Sequence, residues 1–96
     1  MINIISFMGF CGSLVGSKIK TAGGQKEFVL SSAQYNKLCY KVSTGNIRTH
    51  TRARIEMVLD RYEKTKSLRP ADYQHISVNA SYILALISRY CSKHPC

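Results

Sequence analysis

Basic side chains, which can neutralise the phosphates of a nucleic acid, are concentrated in the middle of this 96-residue chain. The chain carries 14 lysines and arginines against 5 acidic residues, so its net charge is +9. Between positions 37 and 69 the basic residues are Lys37, Lys41, Arg48, Arg52, Arg54, Arg61, Lys64, Lys66 and Arg69. An excess of this size says little about the fold, but it favours a polyanionic partner.

A second chemical feature is a run of short polar residues before an apolar segment, HISVNASYILALISRY at residues 75–90. Its apolar stripe has helical spacing and consists of Ile83, Leu86, Ile87 and Tyr90. Small residues at the leading end of such a helix let the backbone approach a DNA major groove, where Asn and Ser can meet base edges. With a short helix before it, this pattern predicts a helix-turn-helix. The DNA-facing residues are then Asn79, Ala80, Ser81 and Tyr82.

The remaining reactive residues do not form a catalytic pattern. His50 and His75 have no carboxylate or nucleophile at motif spacing, and the sequence has no phosphate-cradling glycine loop. Cys91, His94 and Cys96 supply only three local metal ligands, so a frayed chain end is the simpler interpretation. We therefore predict a protein that is not an enzyme and that uses no metal and no cofactor.

Four helices are predicted to position these residues. The first lies in LSSAQYNKLCYKVS (residues 30–43), which has a Ser31–Gln34 capping box. Its apolar stripe is Tyr35, Leu38, Cys39 and Val42. The second lies in TRARIEMVLDRYEKTK (residues 51–66), after a loop, with Thr49 or Thr51 as its cap. Its stripe is Ile55, Val58, Leu59 and Tyr62.

The third and fourth helices form the predicted DNA-binding motif. Pro70 suits the first position of a short helix, and Asn79 suits the N-cap of the last one. Val78 and Ile83 stand at the positions of a hydrophobic staple around that cap. The fold class is therefore predicted to be all-α, a small helical domain containing a helix-turn-helix.

The N-terminal segment is predicted to be a variable arm, residues 1–25, ahead of the helical domain at 26–96. Its apolar run is too short to span a bilayer and lacks the preceding positive charge of a signal peptide. Residues 21–25, TAGGQ, read as a flexible joint. The four cysteines are not spaced like a disulfide framework, so we expect reduced thiols in a cytoplasmic protein.

Three segments in order, SSAQYNKLCYKVS, RARIEMVLDRY and LRPADYQHISVNASYILALISRY, resemble the PapB-type adhesin biosynthesis transcription regulators of enteric bacteria. The resemblance covers about residues 30–90. It implies an all-helical regulator of a fimbrial or afimbrial adhesin operon, which binds AT-rich double-stranded DNA and self-associates as a homodimer or larger assembly.

The resemblance also suggests roles for individual residues. The family's Arg before the motif matches Arg69, a predicted phosphate or groove contact, and its polar residues match Asn79 and Ser81, followed by Tyr82. Tyr73 stands where the family commonly has Cys. Further predicted phosphate contacts, taken from the charge pattern, are Arg48, Arg52, Arg54, Lys64 and Lys66.

Two other functions fit the same composition. A small basic interaction protein, encoded for instance by a phage or plasmid, would inhibit a host complex and bind little specific DNA. A secreted basic peptide would have oxidised thiols and a cleaved N-terminus.

Overall fold

The structure, a computed structural model, describes residues 2–21 and 26–94. Its elements in chain order are α1 (Ile4–Ser13), β1 (Lys18–Lys20), β2 (Glu27–Ala33), β3 (Lys37–Val42), β4 (Ile47–Thr51), α2 (Arg52–Thr65), a 3-10 turn (Pro70–Tyr73) and α3 (Ala80–Lys93). The strands form one antiparallel sheet in the order β1-β2-β3-β4. The protein is therefore an α/β fold, and the predicted all-α fold class is wrong.

The predicted first helix is replaced by the hairpin of β2 and β3. In β3, Leu38, Tyr40 and Val42 are buried, while the residues between them are partly or fully exposed. This period of two belongs to a strand with one buried face. Tyr35, which the helical stripe required to be buried, is 78% exposed between the two strands.

Part of the predicted loop before α2 is also a strand. Gly45 adopts a φ of 92° in the turn after β3, a conformation that favours glycine, and β4 follows directly. Thr51 ends β4 and caps α2, since its hydroxyl oxygen accepts a hydrogen bond from the Arg54 amide. The predicted helix over 51–66 and its buried stripe are confirmed, with Ile55, Val58, Leu59 and Tyr62 all buried.

The predicted short helix at Pro70 is a single 3-10 turn with Pro at its start. Tyr73 is fully buried there, and its hydroxyl donates to the Ser67 carbonyl at 2.6 Å. The helix after Asn79 is confirmed as α3, but Val78 is 74% exposed, so the predicted hydrophobic staple does not form. The helix pair of a helix-turn-helix is therefore replaced by one tight turn leading into α3.

The helices pack on one face of the sheet around a single buried cluster. An aromatic contact joins the two layers, because the ring of Tyr82 in α3 lies 5.1 Å from Phe28 and 4.8 Å from Tyr40, centroid to centroid. α3 is buried along most of its first two turns, from Ala80 to Ile87. Most of this side of the sheet is covered by the protein's own core.

The segment predicted as an arm contributes to the same cluster through Phe7, Met8, Cys11 and Ile19. The Ser6 hydroxyl also lies 2.9 Å from the Tyr90 hydroxyl of α3. Of the joint predicted at 21–25, Thr21 is buried, while residues 22–25, like Pro95 and Cys96 of the tail, lie outside the described residues. No helix in the described part of the chain combines the length and apolarity needed to cross a bilayer.

Candidate functional site

The face of the sheet opposite the helices is uncovered by the described residues, and we call it the open face. Its side chains alternate along each strand with the buried ones. They are Lys18, Lys20, Glu27, Val29, Ser32, Lys37, Cys39, Lys41, Ile47, Thr49 and Thr51. Glu27 is the one acid of this set, against four lysines, so the open face is positively charged.

The strand register spreads the lysines over the open face. Lys18 lies beside Val29, which lies beside Lys41, so about 10 Å separates the two lysine Cα atoms. Lys37 lies four residues before Lys41 on β3, a separation of about 13 Å. Charges placed this far apart suit several separate anionic groups better than one compact anion.

The open-face lysines are not neutralised by the ion pairs of the described residues. Those pairs all lie in or next to α2, where they join Arg52 to Glu56 at 3.1 Å, Lys64 to Asp60 at 3.2 Å and Lys66 to Glu63 at 3.2 Å. Lys64 and Lys66, predicted as phosphate contacts, are therefore already engaged with carboxylates. The four open-face lysines take part in none of these pairs, and together with Glu27 they give this face a net charge of +3.

Arg52 and Tyr35 lie at the end of the open face beside Lys37. The guanidinium of Arg52 is 4.5 Å from the centroid of the exposed Tyr35 ring, and the Arg52 amide donates to the Asn36 carbonyl. Arg52 is itself paired with Glu56, so the exposed Tyr35 ring is the part of this contact that is available to a ligand on the face. Arg48, by contrast, pairs with Tyr40 in register, so its side chain leaves β4 on the helix side.

Cys39 lies between Lys37 and Lys41 on the open face, so the reactivity of its thiol can be used to probe this face. Hydrogen bonds from Thr49, at 3.5 Å, and from Ser32 lower the pKa of its thiol, which favours the reactive thiolate. Burial raises the pKa of the Cys11 thiol to about 12. Both are free, whereas Cys91 is disulfide-bonded, which differs from the expected reduced state.

The predicted DNA-facing end of α3 is mostly inside the protein. Ala80 is fully buried and Tyr82 is 8% exposed. Asn79 and Ser81 are half-buried, and Asn79 occupies the N-cap position without a side-chain capping bond. In this structure Ala80 and Tyr82 belong to the core, so their side chains are not available to a partner.

A cleft of about 480 Å³ separates β4 from the segment that leads into α3, and we call it the β4 cleft. The polar residues that line it include Thr49, Thr51, Arg54, His75, Ser77 and Asn79. Arg54 is anchored there by a hydrogen bond from its guanidinium to the Ile76 carbonyl. The structure thus brings the predicted residues Arg54 and Asn79 together. Arg69 is exposed before the 3-10 turn and is not among the lining residues.

A buried hydrogen-bonded chain supports the wall of this cleft. The Tyr40 hydroxyl lies 2.9 Å from His50 Nδ1, and His50 Nε2 lies 2.9 Å from the Ser77 hydroxyl oxygen. Burial, together with the nearby positive charge of Arg54, lowers the pKa of His50 to about 4. His50 is therefore neutral at neutral pH.

The sequence interpretation missed the open-face lysines as a set. The signal was present in KLCYKV (residues 37–42), where Lys37, Cys39 and Lys41 alternate with the apolar Leu38, Tyr40 and Val42. Comparison with known proteins finds no matching family model, no matching curated protein and no matching solved structure.

Proposed function

We propose that this protein binds nucleic acid, with the open face lying against the phosphate backbone. The observation that carries the proposal is the set of four lysines, unpaired among the described residues and spread over an uncovered sheet face with one acid. Lysine contacts to phosphates give affinity and fix orientation, but they carry no direct sequence information.

The open face itself has no aromatic side chain among its described residues, so base stacking is limited to Tyr35 at its edge. We therefore propose binding that tolerates many sequences. Control of an adhesin operon, a preference for AT-rich duplex DNA, self-association on the DNA and a cytoplasmic location stay predictions drawn from the resemblance and the composition. The docking of such DNA no longer involves a helix-turn-helix.

Replacing Lys18, Lys37 and Lys41 together by Gln should weaken nucleic-acid binding about tenfold or more near 0.1 M salt, because three phosphate contacts are lost. The dependence of log K on log salt should also become shallower by about 2 to 3 units for duplex DNA. Fluorescence anisotropy with a labelled oligonucleotide, in duplex and single-stranded form, measures both quantities.

The matched control removes the same charge elsewhere, at Lys64, Lys66 and Lys93, which lie on or beside α2 and α3. It should change the salt dependence much less. Equal losses in the two triple variants would reject the open face as the contact surface. Absence of binding to either form of nucleic acid at low salt would reject the proposal and favour docking on a protein partner instead.

A further inference from the structure

The β4 cleft is lined by hydrogen-bond donors and by no carboxylate among its described lining residues. It adjoins the open face, because Thr49 and Thr51 line the cleft and also belong to the open face. A ligand that crosses β4 from the open face therefore reaches the cleft. Which ligands the cleft can bind depends on which of its groups are available as hydrogen-bond donors.

The direction of the Tyr40–His50–Ser77 chain can be assigned by counting. A neutral imidazole has one donor and one acceptor nitrogen. The buried Tyr40 hydroxyl has His50 Nδ1 as its partner and must give its proton to it, so His50 Nε2 carries the hydrogen. His50 then donates to the Ser77 oxygen, which also accepts from the Asn79 amide at 3.2 Å.

This assignment leaves Ser77 as a donor. Both lone pairs of its oxygen are occupied, so its hydrogen remains for a group in the β4 cleft. It also leaves Ser77 without a base, since His50 donates to it, and the chain is therefore not arranged to activate a nucleophile.

Arg54 supplies the positive charge of the cleft. One guanidinium nitrogen donates to the Ile76 carbonyl, and this holds the planar group at the cleft wall. The remaining N–H groups of an arginine anchored in this way can form paired bonds to a tetrahedral oxyanion.

We infer that the β4 cleft binds one phosphate group, held by Arg54 and the Ser77 hydroxyl. The identity of its source rests on the proposed function: the phosphate belongs to a nucleic-acid strand that passes from the open face over Thr49 and Thr51. Free inorganic phosphate has the same donor requirement and serves as a probe of the site alone.

The test is a titration of the full chain with inorganic phosphate, followed by NMR at the Ser77 and Asn79 amides and the Arg54 side chain. We expect saturable shifts there with a dissociation constant on the order of 1 mM. Arg54→Gln should weaken phosphate binding at least about tenfold. Arg89→Gln, an exposed charge on α3, is the matched control and should leave it unchanged.

Ser77→Ala provides a second variant, since it removes the hydroxyl donor while keeping the charge of Arg54. Absence of saturable shifts in the unaltered chain, or equal phosphate binding by Arg54→Gln and Arg89→Gln, would overturn the inference. The proposed function is tested separately by the lysine variants. The cleft would be rejected and the open face kept if the open-face triple variant lost oligonucleotide binding while Arg54→Gln kept it, and inorganic phosphate caused no shifts.

Discussion

Tyr82→Ala is expected to lower the free energy of unfolding by about 3–5 kcal/mol. The substitution removes a ring that is 8% exposed and that joins α3 to the sheet through Phe28 and Tyr40. Besides the lost burial, the two edge and tilted ring contacts each contribute about 0.5–1.5 kcal/mol. Chemical denaturation monitored by circular dichroism measures the change.

Ser81→Ala is the control for this prediction, because Ser81 is the half-buried neighbour of Tyr82 on the same turn of α3. Its effect should stay within about 0.5 kcal/mol. If Tyr82→Ala kept nearly full stability and lost DNA binding instead, Tyr82 would be a DNA contact, as the helix-turn-helix interpretation required, and the packing described above would be wrong.

Acidification is expected to destabilise the protein through His50. The pKa of His50 is about 4 in the folded protein, against 6.5 for an ordinary histidine, so the unfolded chain binds the proton more tightly. Neutral His50 contributes its full stabilisation above about pH 6.5, and this stabilisation is lost as the pH falls towards 4. The total loss in the free energy of unfolding is about 3 kcal/mol. Denaturation curves collected across this pH range measure the loss.

His50→Gln is the variant that isolates this effect, since glutamine does not titrate. The difference in unfolding free energy between the two proteins should shrink or reverse by about 3 kcal/mol between about pH 7 and pH 4. His75→Gln, which changes an exposed histidine, should follow the unaltered protein. Parallel curves for all three proteins would contradict the burial of a neutral His50.

Two helices could be predicted from the sequence because their apolar stripes agree with where the core lies. In α2 the stripe from Ile55 to Tyr62 is long enough to exclude a strand, and Thr51 supplies the cap. In α3 the residues from Ile83 to Tyr90 do the same. The apolar period and the cap both act within one helix, so neighbouring sequence is sufficient to recognise them.

The hairpin of β2 and β3 was missed because its sequence fits two periods. Leu38, Cys39 and Val42 suit a helix, while Leu38, Tyr40 and Val42 suit a strand, and only pairing with β4 favours the second. Sheet pairing depends on partners distant in sequence, which a local pattern does not contain. The same error concealed the open face, because Lys37 and Lys41 share a face with Lys18 only when the strands are paired.

The hydrogen-bond donor role inferred for Ser77 could not have been predicted from the sequence either. HISVN gave a plausible turn, but its partner His50 lies 27 residues earlier and reaches it only across the fold. The donor role of Ser77 depends on Tyr40 as well, a third residue on another strand. Functions that arise from such long-range contacts require the structure.

The most direct test of the account is the alkylation of Cys39 by a maleimide, with and without saturating oligonucleotide. Cys39 lies between Lys37 and Lys41 on the open face and has a lowered pKa, while Cys11 is fully buried and should stay unmodified with and without oligonucleotide. We predict that bound nucleic acid, duplex or single-stranded, slows the modification of Cys39 by about tenfold or more, since access and thiolate character both control the rate. An unchanged rate at Cys39, with binding verified in the same sample, would show that nucleic acid does not occupy the open face.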